Sequence, residues 1–249
     1  MLENQNEVFP NILLEEPVYN YGHCRSNCVD ILSDRNSQVM TNSRISKVPD
    51  LMLTNVMSLV PKIDEVTEFV ARSKINLSLI TETWLKESVP DSVINIPGFT
   101  LLRRDRSSQI HGGVCAYIKK THYKYERLDD LNCCDDHECS WVYLRPTRLP
   151  RGLSCIITSV IYHPPSADGA LLLDHLFHTL TLVESKYPNC GIIVTGDFNR
   201  LDVTRLLNHF RLKQIVKIPT RNDVRFDSNQ YAKVFQSTSG ISRIWAVGP

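Results

Sequence analysis

Four acidic or amide side chains end or follow short apolar runs of this sequence, where strands of a sheet would bring them to one edge. They are Asn55, Glu82, Asp197 and Asn199. Strand ends commonly deliver functional side chains into a cleft. Taken singly, an Asp or Asn at a strand end is more often a turn former or a helix cap. The occurrence of all four in this order favours a shared site.

These residue types suit hydrolysis of a phosphate ester. Mg²⁺ typically takes one or two carboxylates together with waters and substrate phosphate, and Glu82 and Asn55 can supply such ligands. Asp197 could orient and deprotonate an attacking water. Asn199 could donate to the charge that develops on the phosphate oxygens.

The elements that must position these residues alternate between strands and helices. We predict helices from Pro61, from Asp168 and over 203–210, the second with its buried stripe at helical spacing. Strand-like runs cover 51–55, 77–81, 99–103, 113–118, 140–144, 154–162 and 191–195. This order predicts an α/β or α+β sandwich over residues 48–224. Residues 1–47, rich in Asn and Ser, are predicted to be a disordered arm.

Composition excludes several classes of protein. The 249 residues are 42% hydrophobic and 22% charged, which is typical of a globular domain. No apolar run is long enough to span a membrane and the start lacks a secretory signal, so we expect an intracellular protein, nuclear or cytoplasmic and not secreted. The net charge of +1 means that any DNA contact must come from local basic patches.

The eight cysteines are expected to be reduced thiols. One cluster, Cys133, Cys134, His137 and Cys139, contains residue types that bind zinc. It lacks the paired C-x2-C spacing of a structural zinc site, so a loop with incidental thiols is the favoured interpretation.

Several motifs together resemble a known family. They are Asn55-Val-Met-Ser-Leu with Lys62, Thr81-Glu-Thr-Trp-Leu, Arg104-Asp-Arg before Gly112-Gly, Tyr162-His-Pro-Pro-Ser, Gly196-Asp-Phe-Asn, and the segment 216–221. Over about residues 50–224 the chain resembles the endonuclease/exonuclease/phosphatase superfamily. More narrowly, it is similar to the apurinic-endonuclease-like domain of LINE-type (non-LTR) retrotransposons.

The resemblance implies a four-layer sandwich of two packed mixed sheets flanked by helices, with the active site at one edge. Glu82 matches the metal-binding Glu, and Asn55 matches an Asn near the metal. Asp197 matches the residue that orients the nucleophilic water, Asn199 the Asn that contacts phosphate, and Tyr162 the Tyr whose hydroxyl approaches the scissile phosphate.

The implied activity is Mg²⁺-dependent nicking of DNA, with Mn²⁺ as an alternative ion and no small-molecule cofactor. The implied partners are DNA and, in a parent element, a downstream reverse transcriptase; no membrane partner is expected. Arg104, Arg106 and Arg221 are predicted to contact DNA phosphates. Two alternatives stay open: a non-catalytic remnant that binds nucleic acid weakly, and a phosphatase or phosphodiesterase of the same fold acting on another substrate.

The chain departs from the family after Arg221. The family continues with segments resembling Leu-Asp-Leu-Ile-Leu-Thr-Asn-Met and Gly-Leu-Ser-Asp-His, and the final Asp-His pair takes part in catalysis. Neither segment is present in residues 225–249. We therefore expect a fold that lacks its last strands, with open sheet edges, and a domain that is inactive as encoded because its terminal Asp-His is missing.

A shifted reading frame explains this tail. Residues 225–231 and the first base of the Ala232 codon, back-translated with suitable third bases and read one nucleotide later, spell Asp-Leu-Ile-Leu-Thr-Asn-Met. Residues 244–249 in the same shifted frame spell Phe-Gly-Leu-Ser-Asp and the first two bases of a His codon. Our hypothesis is that the tail from about residue 225 is an out-of-frame version of the family's own ending.

Overall fold

A computed structural model describes residues 29–31, 49–106, 111–132, 137–214 and 243–248. The strands are β1 (Val29–Ile31), β2 (Leu51–Asn55), β3 (Leu77–Thr81), β4 (Phe99–Arg104), β5 (Val114–Lys119), β6 (Tyr123–Arg127), β7 (Glu138–Pro146), β8 (Ile156–Tyr162), β9 (Gly191–Asp197), β10 (Lys213–Gln214) and β11 (Arg243–Gly248). The α-helices are α1 (Ile63–Arg72), α2 (Gly169–Lys186) and α3 (Thr204–His209), and short 3₁₀ helices cover Val60–Lys62, Asp91–Ile94 and Asp129–Leu131.

The strands form two mixed sheets that pack face to face. The first sheet has the order β1-β2-β3-β5-β4, and the second has the order β10-β11-β9-β8-β7-β6. β2 and β3 run parallel, as do β8 and β9, while β5 is antiparallel to both of its neighbours. Contacts of β3 with β8 and β9, and of β5 with β7 and β8, join the two sheets. The predicted sandwich of two mixed sheets is confirmed.

Side-chain alternation along the strands builds the layers. Leu51 and Leu53 of β2 belong to the core cluster that includes the second sheet, whereas Met52 packs with Val66 and Val70 of α1. The apolar stripe predicted for α2 is buried, and the Asp168 side chain caps the helix by accepting a hydrogen bond from the Ala170 N–H at 2.8 Å. Both sheets therefore bury one face against each other and carry helices outside.

Three elements differ from the sequence-based expectation. Val29–Ile31 pairs antiparallel with β2, so three residues of the arm predicted to be disordered form an edge strand. β6 was not predicted, because only its first residue, Tyr123, is buried and the strand has no alternating pattern. The backbone of Arg243–Gly248 lies between β9 and β10, so the expected open edge beside β9 is covered by a strand of the tail.

None of the helices described is both long and apolar enough to cross a membrane.

Gly196 allows β8 and β9 to approach closely where they lead into the site. It pairs with Ile161 of β8, and a Cβ added there would lie 2.0 Å from the Ile161 carbonyl oxygen. We expect Gly196→Ala to lower the free energy of unfolding by at least about 3 kcal/mol, because backbone cannot yield as a flexible side chain can. Urea unfolding followed by tryptophan fluorescence measures this.

Gly98→Ala is the matched control, since Gly98 has a φ of +83° but nothing within 4 Å of an added Cβ. Backbone strain alone should cost it about 1 kcal/mol. Equal losses for the two variants would show that the contact with β8 is unimportant.

Candidate active site

The side chain of Asn55 links the two sheets at the edge where β2 and β9 end. Its Nδ2 donates to Glu82 Oε1 at 2.8 Å and to Asp197 Oδ2 at 3.0 Å. Since both oxygens bond to one nitrogen, the Glu82 and Asp197 carboxylates lie within about 6 Å of each other. The structure therefore brings together the three residues that come from β2, from the end of β3 and from β9.

The orientation of the Asn55 amide is set by the backbone two residues further along the chain. The Met57 N–H donates to Asn55 Oδ1 at 3.2 Å, which leaves the amide nitrogen to face the carboxylates. The turn is held in place by Lys62, whose Nζ donates to the carbonyls of Val56 and Met57. Because its Oδ1 accepts from Met57, Asn55 would have to rotate its amide to act as the predicted metal ligand.

Glu82 lies in a backbone conformation that few residues other than glycine adopt, with a φ of +52°. The surrounding backbone enforces this conformation. The Glu82 carbonyl accepts from the Ser58 N–H at 3.0 Å, and the next two N–H groups, of Thr83 and Trp84, donate to the carbonyls of Gly113 and Gly112 at 3.2 and 2.8 Å. Strained backbone that persists only because its neighbours hold it is common at functional sites.

Tyr162, Asp197 and Asn199 meet at the ends of β8 and β9. Tyr162 pairs with Asp197 in the register of the two parallel strands, and both are buried. The Asn199 N–H donates to Asp197 Oδ1 at 3.0 Å, and Asn199 Nδ2 donates to the His163 carbonyl at 2.6 Å. Both oxygens of Asp197 thus have a donor, which fixes its carboxylate.

The Tyr162 hydroxyl faces the carboxylates of both sheets. Burial raises the pKa of Tyr162 well above its usual value, and the charges of Glu82 and Asp197 and a hydrogen bond to Glu82 act in the same direction. Tyr162 is therefore a neutral hydrogen-bond donor at physiological pH. All five residues predicted for the site, Asn55, Glu82, Tyr162, Asp197 and Asn199, lie at one edge of the sandwich.

The donor set suits a small divalent cation. Two carboxylates that share one amide donor repel each other, and a cation placed between them would relieve that repulsion. Asp197 is buried, but Asn55, Glu82 and Asn199 are partly exposed, so an ion could reach the oxygens from solvent. Hard oxygen ligands with room for waters are what Mg²⁺ requires.

Of the three arginines predicted to contact DNA, the structure describes Arg104 and Arg106. Arg106 is buried, and its Nε lies 2.9 Å from Oε1 of Glu138, whose side chain is also buried. This ion pair engages the Arg106 charge inside the protein, so the placement does not support a phosphate contact for it. Arg104 is half-buried and donates to the Cys139 carbonyl at 3.1 Å; its DNA contact stays a prediction. Arg221 lies outside the described residues.

The cysteine and histidine cluster does not assemble a metal site in the described residues. Cys139 is part of the core, while Cys133 and Cys134 lie outside the described residues. His137 is buried, and its Nδ1 lies 3.3 Å from His163 Nδ1. Burial, together with His137, lowers the pKa of His163 to about 4, so the His163 ring is uncharged at neutral pH. No group of three or more possible ligands occurs among the residues described.

Glu138 is a site-edge residue that the sequence did not indicate. Glu138 is the first residue of β7 and pairs with Tyr162 of β8, which in turn pairs with Asp197 of β9. Burial raises its pKa to about 7, and Glu82 adds to the shift, while Arg106, the Gly113 N–H and Arg104 oppose it. Glu138 lies in an acidic, cysteine-rich stretch, which is typical of a loop, so its burial beside the site was not predicted.

This pKa predicts a pH dependence of stability. Because the folded state holds the Glu138 proton more tightly than the unfolded state, the stabilisation is complete below pH 4.5 and is lost as the pH rises to about 7. The loss is at most roughly 3 kcal/mol. Urea unfolding of the protein and of Glu138→Gln from pH 4 to 8 should show a difference that changes only in this window. Parallel curves would contradict the assignment.

Comparisons with known proteins agree with this architecture. No protein-family model and no curated protein matches the sequence. The human Nocturnin catalytic domain with bound sulfate aligns over 73% of this chain and 76% of its own, at 11% identity and a TM-score of 0.50. The endonuclease domain of TRAS1, a telomere-specific non-LTR retrotransposon, aligns over 59% of this chain and 58% of its own, at 15% identity and a TM-score of 0.41. An AP endonuclease from Archaeoglobus fulgidus aligns over 64% of this chain and 63% of its own, at 12% identity and a TM-score of 0.40.

This chain thus spans less than two thirds of the length of the TRAS1 domain. The Nocturnin alignment covers most of both chains and establishes the fold. Together with the two packed mixed sheets, it shows that the chain shares the fold of that catalytic domain.

Proposed function

We propose that this domain descends from a Mg²⁺-dependent DNA-nicking endonuclease of a non-LTR retrotransposon and hydrolyses phosphodiester bonds when its ending is complete. The observation that carries the proposal is the Asn55 amide held between the Glu82 and Asp197 carboxylates. That arrangement joins a ligand for a cation to a buried carboxylate that can orient a water. The motif resemblance in residues 50–224 supports DNA as the substrate.

Each residue then has a chemical task. Glu82 would hold the divalent ion, with Mn²⁺ able to replace Mg²⁺, and the ion would neutralise charge on the phosphate. Asp197 would orient the attacking water, since its carboxylate is fixed by Asn55 and by the Asn199 N–H. Tyr162, neutral at physiological pH, would donate a hydrogen bond to a phosphate oxygen.

The same proposal includes inactivity of the chain as encoded. Catalytic groups of this kind act as a unit, so removal of one member costs most of the rate. The family's terminal Asp-His is not among residues 225–249. The strand Arg243–Gly248 covers the edge of β9 with backbone, but it contributes neither an Asp nor a His.

A plasmid assay separates the candidate functions. Supercoiled DNA is incubated with Mg²⁺ and a chain whose reading frame is restored from about residue 225, with EDTA as the control, and both nicking and gel retardation are measured. Nicking that Glu82→Ala abolishes supports an endonuclease. Retardation without nicking supports a nucleic-acid-binding remnant. Hydrolysis of a phosphoinositide in place of DNA would support a phosphatase of the same fold.

A further inference from the structure

The buried ion pair of Arg106 and Glu138 ties the two sheets together next to the site. Arg106 follows β4 of the first sheet, and Glu138 begins β7 of the second. Their side chains are 9% and 3% exposed, with Nε and Oε1 separated by 2.9 Å. Breaking such a pair leaves a buried charge uncompensated.

The ion pair lies against two consecutive glycines, Gly112 and Gly113. A Cβ added to Gly112 would lie 3.0 Å from Arg106 Cδ and 3.1 and 3.2 Å from the two Glu138 oxygens. The Gly113 N–H faces the Glu138 carboxylate and stabilises its ionised form. A side chain at Gly112 would press on both partners of the ion pair and would have to adopt a φ of +102°, so Gly112 is packed closely against the pair.

Gly112 and Gly113 in turn form backbone hydrogen bonds with the two residues that follow Glu82. The Gly112 carbonyl accepts from the Trp84 N–H, and the Gly113 carbonyl accepts from the Thr83 N–H. Thr83 and Trp84 directly follow Glu82, whose left-handed conformation needs support from its neighbours. A continuous path of contacts therefore runs from Arg106 and Glu138 through the glycines to Glu82.

The geometry points to Glu138 as a positioning residue for Glu82, acting with Arg106 through Gly112 and Gly113 to set the affinity of the site for its divalent ion. This inference rests on the proposed function in one respect, that Glu82 holds the ion. The positioning itself is independent of the ion, because it concerns the backbone of residues 82–84.

The test uses the full chain with Mn²⁺ as the probe and two readouts at pH 8. Mn²⁺ affinity is measured from the electron paramagnetic resonance signal of the free ion, and amide exchange of Thr83 and Trp84 is measured by NMR. Glu138→Gln is expected to weaken Mn²⁺ binding about 10-fold, as is typical when a group that orients a ligand is lost. Exchange at both amides should be faster by about 10-fold or more.

Glu126→Gln is the matched control, because Glu126 is exposed on the neighbouring strand β6 and should change neither readout. Arg106→Lys keeps the charge but not the guanidinium fork, and it should shift both readouts in the same direction as Glu138→Gln by a smaller factor. This second variant decides the matter if Glu138→Gln does not fold.

The outcomes are distinguishable. Unchanged exchange at Thr83 and Trp84 in both variants overturns the positioning role of Glu138, whatever the ion does. Faster exchange with unchanged Mn²⁺ affinity overturns the link to the metal site. Absence of Mn²⁺ binding by the unsubstituted chain contradicts the proposed function, and the exchange data then decide the positioning role alone.

Discussion

Deleting one nucleotide between codons 221 and 225 is expected to give a chain that nicks supercoiled DNA with Mg²⁺ at a rate on the order of 10³-fold above the chain as encoded. The deletion replaces residues 225–249 by the shifted-frame translation, which contains the Leu-Ile-Leu-Thr-Asn-Met segment and Gly-Leu-Ser-Asp, followed by the first two bases of a codon that encodes His if the next base is T or C. A catalytic Asp-His pair would then join Asn55, Glu82, Tyr162, Asp197 and Asn199. Loss of supercoiled plasmid over time measures the rate.

The control carries the same deletion together with Glu82→Gln, which should return the rate to background. The restored chain should also unfold at higher urea concentration, since its ending would again be the one that pairs with β9. A coding sequence whose third bases do not spell those segments in the shifted frame would refute the frameshift before any protein is made.

Asp197→Asn in the frame-restored chain is expected to lower the nicking rate by at least about 10³-fold while the protein stays folded. In the structure, Oδ2 accepts from Asn55 and Oδ1 accepts from the Asn199 N–H. An asparagine presents an NH₂ group to one of these donors, so it loses a hydrogen bond as well as the charge that orients water. Initial rates at saturating Mg²⁺ measure the effect.

Asp174→Asn provides the matched control, because Asp174 is exposed on α2, away from the strand ends that form the site. It should leave the rate unchanged. If Asp197→Asn retained more than about a tenth of the activity, Asp197 could not be the residue that orients the nucleophile.

The sequence predicted those parts of the fold whose signal is local. Runs such as Leu51–Asn55 and Leu77–Thr81 are strands because their residues are apolar and buried on both faces. The stripe of α2 was evident from its helical spacing. Because Asn55 ends one such run and Glu82 directly follows the other, their convergence with Asp197 followed from the packing of the two sheets.

Features that depend on distant partners were not predictable. Glu138 is buried only because Arg106 reaches it from the other sheet, and neither residue carries a local sign of this pairing. Arg106 itself was therefore predicted to contact DNA. The φ of +52° at Glu82 likewise depends on Ser58 and Gly113, which lie far away in the sequence.

The strands in the N-terminal arm and in the tail were not predicted, because they too depend on partners distant in the sequence. Val29–Ile31 forms a strand by pairing with β2, and Arg243–Gly248 does so by pairing with β9. Edge pairing supplies the backbone hydrogen bonds that such short segments cannot make alone. Composition by itself could not indicate these partners.

Crystals of the full chain soaked in Mn²⁺ test the central claim most directly, through the anomalous scattering of the ion. We predict one strong peak about 2–2.5 Å from a Glu82 carboxylate oxygen, on the side that faces Asp197. Crystals of Glu82→Gln should lose it. A Mn²⁺ ion bound elsewhere, with no peak at Glu82, would contradict a shared metal site. A distance of more than about 10 Å between the Glu82 and Asp197 carboxylates would contradict it as well.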